Sequence, residues 1–172
     1  YIENVYGAPT GGILGNGIAN LSDCVNYGAI RASNLTGGIV GKSGGGTLTR
    51  CYNRADVQGG SLSVGGIIGY GNSGTTNVTS CENSGYISGT TSDIVGEIIG
   101  SVLQSSANVN VDSSCKYLIS SNNANENGAT GVENEELLTT CDLNWFVSKV
   151  NSLIDSSLKT WKIDDNRCST IF

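Results

Sequence analysis

The 172-residue chain contains no histidine. This absence removes the commonest general base, the Ser–His and Cys–His couples and every histidine-containing metal site. Lysine and arginine together number nine against 15 acidic residues, which gives a net charge of −6. So few cationic side chains cannot neutralise the negative charge of a nucleic acid or of an anionic membrane surface. We therefore expect a protein that is not an enzyme, has no metal or cofactor, and does not bind nucleic acid.

Aromatic residues, proline and long apolar runs are also scarce. Aromatic residues make up 6% of the chain and proline occurs once, whereas glycine occurs 25 times. No run approaches the roughly 18 apolar residues of a membrane span, so no span is expected in this chain. No leader-like segment opens it either. The core must be built from Ile, Val, Leu and Cys, and the glycines indicate frequent turns and close backbone approach.

A five-residue motif, Gly-Gly-Ile-x-Gly, recurs through the first hundred residues. Its closing glycines are separated by 26, 28 and 31 residues, and the fourth copy has a glutamate in second place. Recurrence at this interval is the sequence signature of stacked structural repeats. The four copies are residues 11–15, 37–41, 65–69 and 96–100.

A second motif interleaves with the first. It consists of a cysteine, an asparagine two residues later, a small residue at the fourth position after the cysteine and an aliphatic residue at the sixth. Three copies begin at Cys24, Cys51 and Cys81. Cys115 lies where a fourth copy is due, but Tyr117 replaces the asparagine. Two motifs that recur in register at one period indicate a repeat rather than biased composition.

The repeat predicts an all-β fold. Each unit carries short β-branched runs separated by Gly, Ser, Thr and Asn, a pattern typical of strands. Such a unit buries its apolar face only if coils stack, with equivalent strands paired about 4.8 Å apart. We predict a parallel β-helix, or β-solenoid, of three to four coils over residues 1–118, in which equivalent residues form ladders. The predicted ladders are Cys24, Cys51 and Cys81; Asn26, Asn53 and Asn83; and Ile13, Ile39 and Ile67, with the isoleucines inside.

The pairing of GGIVG with CxNxGxI resembles the GLUG-motif repeats of bacterial surface proteins, including the amino-terminal regions of some secreted IgA-cleaving metallopeptidases. The resemblance covers about residues 7 to 100 and is weak beyond Gly96. It implies a secreted or cell-surface protein in which the repeats form a stalk or an adhesive array. Peptidase activity is not implied, because the zinc motif of those enzymes contains histidine. Tyr1-Ile2 matches Tyr86-Ile87, so we expect the chain to begin inside a coil of a longer protein.

A different pattern follows the repeats. Residues 119–131 are rich in Ser, Asn and Gly, which predicts a polar loop or linker. Apolar residues spaced by three and four between Leu143 and Leu158 predict an amphipathic helix, and residues 159–163 predict a strand. Because the last coil of a solenoid exposes unpaired backbone and apolar core, we expect residues 132–172 to form a helix-plus-strand cap.

The cysteines and asparagines each allow a second interpretation. The ladder cysteines lie about 30 residues apart, far from the paired spacing of zinc sites. A ladder of small buried thiols is the simpler expectation, while disulfides between ladder neighbours, or between Cys141 and Cys168, stay open. The asparagines are expected to satisfy turn backbone, and a stripe of ligand-contacting amides is the alternative.

The sequence favours a structural and adhesive module of an extracellular or cell-surface protein. Its partner would be a host or matrix protein or a glycan, and no ligand-binding residue is singled out. One alternative is a self-assembling filament subunit that pairs through the open edges of the solenoid. Another is a carbohydrate-binding β-helix. Exposed Tyr and Asn on one face would favour glycan binding, whereas an apolar end with an unpaired edge would favour assembly.

Overall fold

The computed structural model describes residues 1–4, 7–90, 94–103, 105–118, 129–132, 162–164 and 169–171. Within these ranges the chain is nearly all β-strand and contains no α-helix. The strands of the repeat region pair in parallel, each with the equivalent strand of the next repeat. The prediction of a parallel β-solenoid is therefore confirmed. No helix in the described ranges is long and apolar enough to cross a membrane.

The solenoid has four sheets, named A to D. Sheet A contains, in order of pairing, β1 (Ile2–Asn4), β5 (Ile30–Ala32), β9 (Val57–Gln58) and β14 (Ile87–Ser88). Sheet B contains β2 (Thr10–Gly11), β6 (Thr36–Gly37), β10 (Val64–Gly65) and β15 (Val95–Gly96). Sheet C contains β3 (Leu14–Ser22), β7 (Val40–Thr49), β11 (Ile68–Gly71), β12 (Gly74–Thr79), β16 (Ile99–Val102) and β17 (Ala107–Val111). Sheet D contains β4 (Val25–Asn26), β8 (Tyr52–Asn53), β13 (Glu82–Asn83), β18 (Lys116–Leu118) and β19 (Thr130–Val132).

Each coil passes through sheets B, C, D and A in that order. Coil 1 covers residues 10–32, coil 2 covers 36–58 and coil 3 covers 64–88. A fourth, partial coil covers 95–118 in sheets B, C and D. The solenoid thus makes about three turns. Residues at the same position of successive repeats pair directly, as Asn26 pairs with Asn53.

The core consists of aliphatic side chains stacked from coil to coil. Ile39, Ile67 and Ile98 are fully buried in the larger of two clusters. Ile13 differs from the expected interior position, because its side chain is 47% exposed. Its backbone N–H does donate to Ile39 O, but coil 1 has a described coil on one side only, so half of the side chain faces solvent. The other stacked positions are Leu21, Leu48 and Val78, and Ile30, Val57 and Ile87.

The chain divides into two compact units, Tyr1–Val132 and Glu133–Phe172. The first unit extends beyond the predicted boundary at residue 118, because β19 pairs in parallel with β18 and so takes the end of the predicted linker 119–131 into sheet D. In the second unit β20 (Lys162–Asp164) pairs antiparallel with β21 (Ser169–Ile171). The first of these overlaps the predicted strand 159–163. The predicted helix between Leu143 and Leu158 lies outside the described residues.

The paired glycines of the first motif are required by close packing between coils. A Cβ on Gly38 would overlap the carbonyl oxygen of Gly66 in the next coil and would lie 2.5 Å from Asn53 Cγ. Gly12 and Gly66 meet the same neighbours, namely the next coil's backbone and the asparagine of their own coil. The second glycine therefore leaves the space that the asparagine side chain fills.

The corner before each ladder cysteine has a left-handed backbone. Asp23, Arg50 and Ser80 have φ values of 59°, 51° and 52°, a region that residues other than glycine seldom adopt. The Arg50 guanidinium also donates to Asp23 Oδ2 at 3.0 Å across two coils. The same sharp corner thus recurs in three successive coils and turns the chain from sheet C into sheet D.

The packing predicts a large difference between two glycine-to-alanine substitutions. Gly38→Ala should lower the free energy of unfolding by about 3 kcal/mol, because the added methyl group meets backbone that cannot move aside. Gly44→Ala is the matched control, since the nearest atoms to its Cβ lie 3.6 Å away. Urea unfolding of both variants checks this, and equal stability of the two would contradict the coil spacing.

Candidate functional site

The motif asparagines form a continuous hydrogen-bonded column inside the solenoid. Asn26 Nδ2 donates to Asn53 Oδ1, and Asn53 Nδ2 donates to Asn83 Oδ1, both at 2.8 Å. Each amide also donates to the carbonyl two residues further along its own coil, for example Asn53 Nδ2 to Ala55 O at 2.7 Å. Asn53 and Asn83 have no exposed surface. Their amides satisfy turn backbone, and a ligand has no access to them.

Glu97 ends this column in place of a fourth asparagine. Tyr117 is in register with Asn83, where the motif would place the next amide. Glu97 takes the place of the second glycine of the fourth copy, and its carboxylate accepts a hydrogen bond from Asn83 Nδ2 at 3.0 Å. The loss of an asparagine on β18 is thus accompanied by the gain of a carboxylate between β15 and β16.

The Glu97 carboxyl is an unusual group in such a core. Its side chain is fully buried, and Oε1 has no hydrogen-bond partner among the described residues. Burial raises the pKa of Glu97 to about 7, and the hydrogen bond from Asn83 only partly offsets this. The motif alone marks residue 97 only as a departure from the second glycine and does not reveal its role, although the simultaneous changes at positions 97 and 117 are visible in the sequence.

The motif cysteines form a second column beside the first. Cys51, Cys81 and Cys115 are buried and Cys24 is half-buried, and all four are free thiols. The backbone N–H of Cys51 donates to Cys81 Sγ at 3.4 Å. Hydrogen bonding to the neighbouring thiols, together with burial, raises the pKa of Cys81, so this sulfur stays protonated. Cys141 and Cys168, the other proposed pair, lie outside the described residues.

No metal site is formed by the part of the chain that the structure describes: it contains no group of three or more Cys, Asp or Glu side chains placed to hold an ion. Among the described residues, the surfaces open to a ligand include the outer faces of the sheets, two of which differ in chemistry.

A charged depression lies on the outside of sheet A. It has a volume of about 200 Å³ and is open to solvent. Tyr86, at its rim, is 52% exposed. Nearby on sheet D, the Arg54 guanidinium lies 5.3 Å from the centre of the Tyr52 ring and donates to Glu82 Oε2 at 2.8 Å. The lining residues of the depression are Ala29, Ile30, Arg31, Asp56, Gln58, Tyr86 and Ser88.

An uncharged face lies on the outside of sheet C. Its side chains alternate along each strand with the buried leucine and valine positions and form two columns across the coils. We call these columns the amide–hydroxyl face. The first column is Asn20, Thr47, Asn77 and Asn110, all exposed, and the second is Ser22, Thr49 and Thr79.

Sequence analysis did not identify the amide–hydroxyl face, because its residues lie between the two motifs. The signal was nevertheless present, as an alternation of polar and apolar residues in Thr47-x-Thr49 and Asn77-x-Thr79 that recurs at the repeat interval. Comparison with family models, curated proteins and solved structures finds no match for the chain. Its function must therefore be inferred from the chemistry of these surfaces.

The buried carboxyl predicts a pH-dependent stability. Because the pKa of Glu97 is raised in the folded state to about 7 from its usual 4.5, the ionised carboxylate destabilises the fold at high pH. Stability should rise as the pH falls from 8 to 5, by about 2 kcal/mol after allowance for screening. Glu97→Gln should remove this rise and be the more stable form at pH 8, since its side chain is uncharged and the amide oxygen can replace the carboxylate oxygen that accepts from Asn83 Nδ2.

Urea unfolding between pH 5 and 8 measures the effect. Glu3→Gln is the matched control, because Glu3 is an exposed carboxylate on β1 and its removal should leave the pH dependence of the parent chain intact. Parallel pH profiles for the parent and Glu97→Gln would contradict the buried placement of this carboxyl.

Proposed function

We propose that the chain is a non-catalytic structural and adhesive module of a secreted or cell-surface protein. The observation that carries the proposal is the register of the solenoid: outward residues of equal place in successive coils stand directly beside one another, as Asn20, Thr47, Asn77 and Asn110 do. A surface built in this way repeats one chemical group along the axis. Such a surface suits contact with an extended partner rather than with one small substrate.

The structural part of the proposal rests on how the coils are joined. Coils 1, 2 and 3 are joined by parallel backbone pairing in all four sheets, and coil 4 joins coil 3 in sheets B, C and D. The buried amide column adds side-chain hydrogen bonds between coils. Each added coil lengthens the rod by about 4.8 Å. Because strand pairing joins each coil to its neighbours, such an array can be lengthened without redesign of its core, as a stalk requires.

The resemblance of the two motifs to the repeats of bacterial surface proteins supports a location outside the cell. The net charge of −6 agrees with a soluble surface that avoids anionic membranes and nucleic acid. The partner expected on this basis is a host or matrix protein or a glycan, contacted through an outer sheet.

Self-assembly into a filament is a second candidate function, and one observation favours it. Ile18, on strand β3 of coil 1, is 70% exposed. Strands β2, β3 and β4 each have a described partner on one side only. Exposed apolar side chains beside an edge strand are a surface onto which another copy can add.

Binding and mass measurements together test the proposal. The purified chain should keep the mass of a single chain in light scattering across a concentration series. It should also be retained on at least one surface of a panel that contains neutral polysaccharides, anionic glycans and collagen. Failure of every surface to retain a monomeric chain would contradict an adhesive role.

Growth into end-to-end oligomers would support the filament function in place of the adhesive one. In that case Ile18→Lys should abolish growth, because it places a charge at the coil 1 edge. Leu62→Lys is the matched control, since Leu62 is also an exposed aliphatic residue but lies between β9 and β10. If both variants blocked growth equally, assembly would not use that edge.

A further inference from the structure

We propose that the amide–hydroxyl face of sheet C binds a neutral, regularly repeating polysaccharide. This inference rests on the proposed adhesive function and names its partner and its surface. The argument uses three properties of the face: its spacing, its hydrogen-bonding groups and its lack of charge.

The face is a regular two-dimensional array. Across the strands, the register runs without a shift from Thr47 to Asn77 and from Asn77 to Asn110. Neighbouring positions in a column are therefore about 4.8 Å apart, and neighbouring columns about 6.8 Å apart along the strand. A ligand that presents hydroxyl groups at regular intervals meets an equivalent group in each coil. Because these contacts are repeated along one ligand molecule, contacts that are weak singly together give a high overall affinity.

The groups on the face can donate and accept hydrogen bonds. An amide offers two N–H donors and a carbonyl acceptor, and a hydroxyl offers one donor and two acceptor sites. Some of these side chains are already held in place: Asn110 Nδ2 donates to Asn77 Oδ1 at 2.9 Å, and Asn108 Nδ2 donates to Asn110 Oδ1 at 3.0 Å. Groups held in this way lose less entropy on binding. Sugar hydroxyls, which also donate and accept, are matched partners.

The charges lie at the borders of the face. Lys42 lies nearer the start of β7, in register with Asn16 and Tyr70. At the other end, the Asp23–Arg50 ion pair follows the second column. Neither column contains an ionisable residue up to Thr79, and the position that follows Val111 in coil 4, next in register after Thr79, is the exposed carboxylate Asp112. An anionic glycan or a charged protein segment therefore gains no electrostatic attraction there. An uncharged chain does not depend on such attraction for its binding. The charge distribution thus favours a neutral polysaccharide.

Depletion binding to microcrystalline cellulose and to chitin tests the assignment. The full chain is made in a host without N-glycosylation, because Asn20-x-Ser22 and Asn77-x-Thr79 are acceptor sequences. The double variant Thr47→Ala/Asn77→Ala should bind at least one of these solids about tenfold more weakly, since it removes outward hydrogen-bonding groups in two adjacent coils.

The matched control is Gln58→Ala/Ser88→Ala. These residues are paired in register on adjacent coils of sheet A and line the charged depression. Binding should be unchanged in this variant, and the thermal midpoints of both variants should match that of the parent chain, which separates loss of the face from loss of the fold.

Each other result has a defined meaning. Weaker binding by the control variant alone would overturn the assignment and place the glycan site in the depression. Retention on anionic glycans or collagen, with none on neutral solids, would also overturn it and leave the adhesive function standing. Altered ice-crystal growth without retention on polysaccharides would overturn it in favour of ordered water as the ligand. Absence of retention on any surface would overturn both proposals.

Discussion

The fold depends on one constraint: the asparagine of each coil must lie directly against the asparagine of the next. The bonds of 2.8 Å from Asn26 to Asn53 and from Asn53 to Asn83 fix the register of the coils, since a slip of one residue would leave buried amides unsatisfied. The glycine beside each amide follows from this, because a Cβ on Gly38 would occupy the space of the Asn53 side chain. The aliphatic ladders then fill the rest of the interior.

The fourth coil illustrates how the same constraint is met with different residues. Where the asparagine column stops, Glu97 supplies the acceptor that Asn83 requires, and Tyr117 stands at the register position of the missing asparagine. The arrangement costs stability at high pH, since burial raises the pKa of this group to about 7. A repeat that loses its motif in sequence has therefore kept this hydrogen bond through a residue from the segment between β15 and β16.

The parallel solenoid could be predicted from the sequence because its two motifs specify interior positions that recur in every coil. Other features depend on a residue's neighbours rather than on its place in the motif. Ile13 is 47% exposed although Ile39 and Ile98 are fully buried, so an equal place in the motif does not by itself fix burial. The glycines were expected at turns and at points of close backbone approach, and Gly85 is the small residue at the fourth position of the third copy of the second motif. Gly85 is indeed closely packed against Ala55, but the left-handed corners lie at Asp23, Arg50 and Ser80, where only local backbone geometry distinguishes them.

The amide column can be tested directly by nuclear magnetic resonance. The side-chain amide protons of Asn53, which has no exposed surface, should exchange slowly with solvent and show cross-relaxation to the side chains of Asn26 and Asn83. Such contacts between residues 27 and 30 positions apart arise only if successive coils stack in register. Rapid exchange of the Asn53 amide, with no cross-peak to either neighbour, would contradict the stacked solenoid described above.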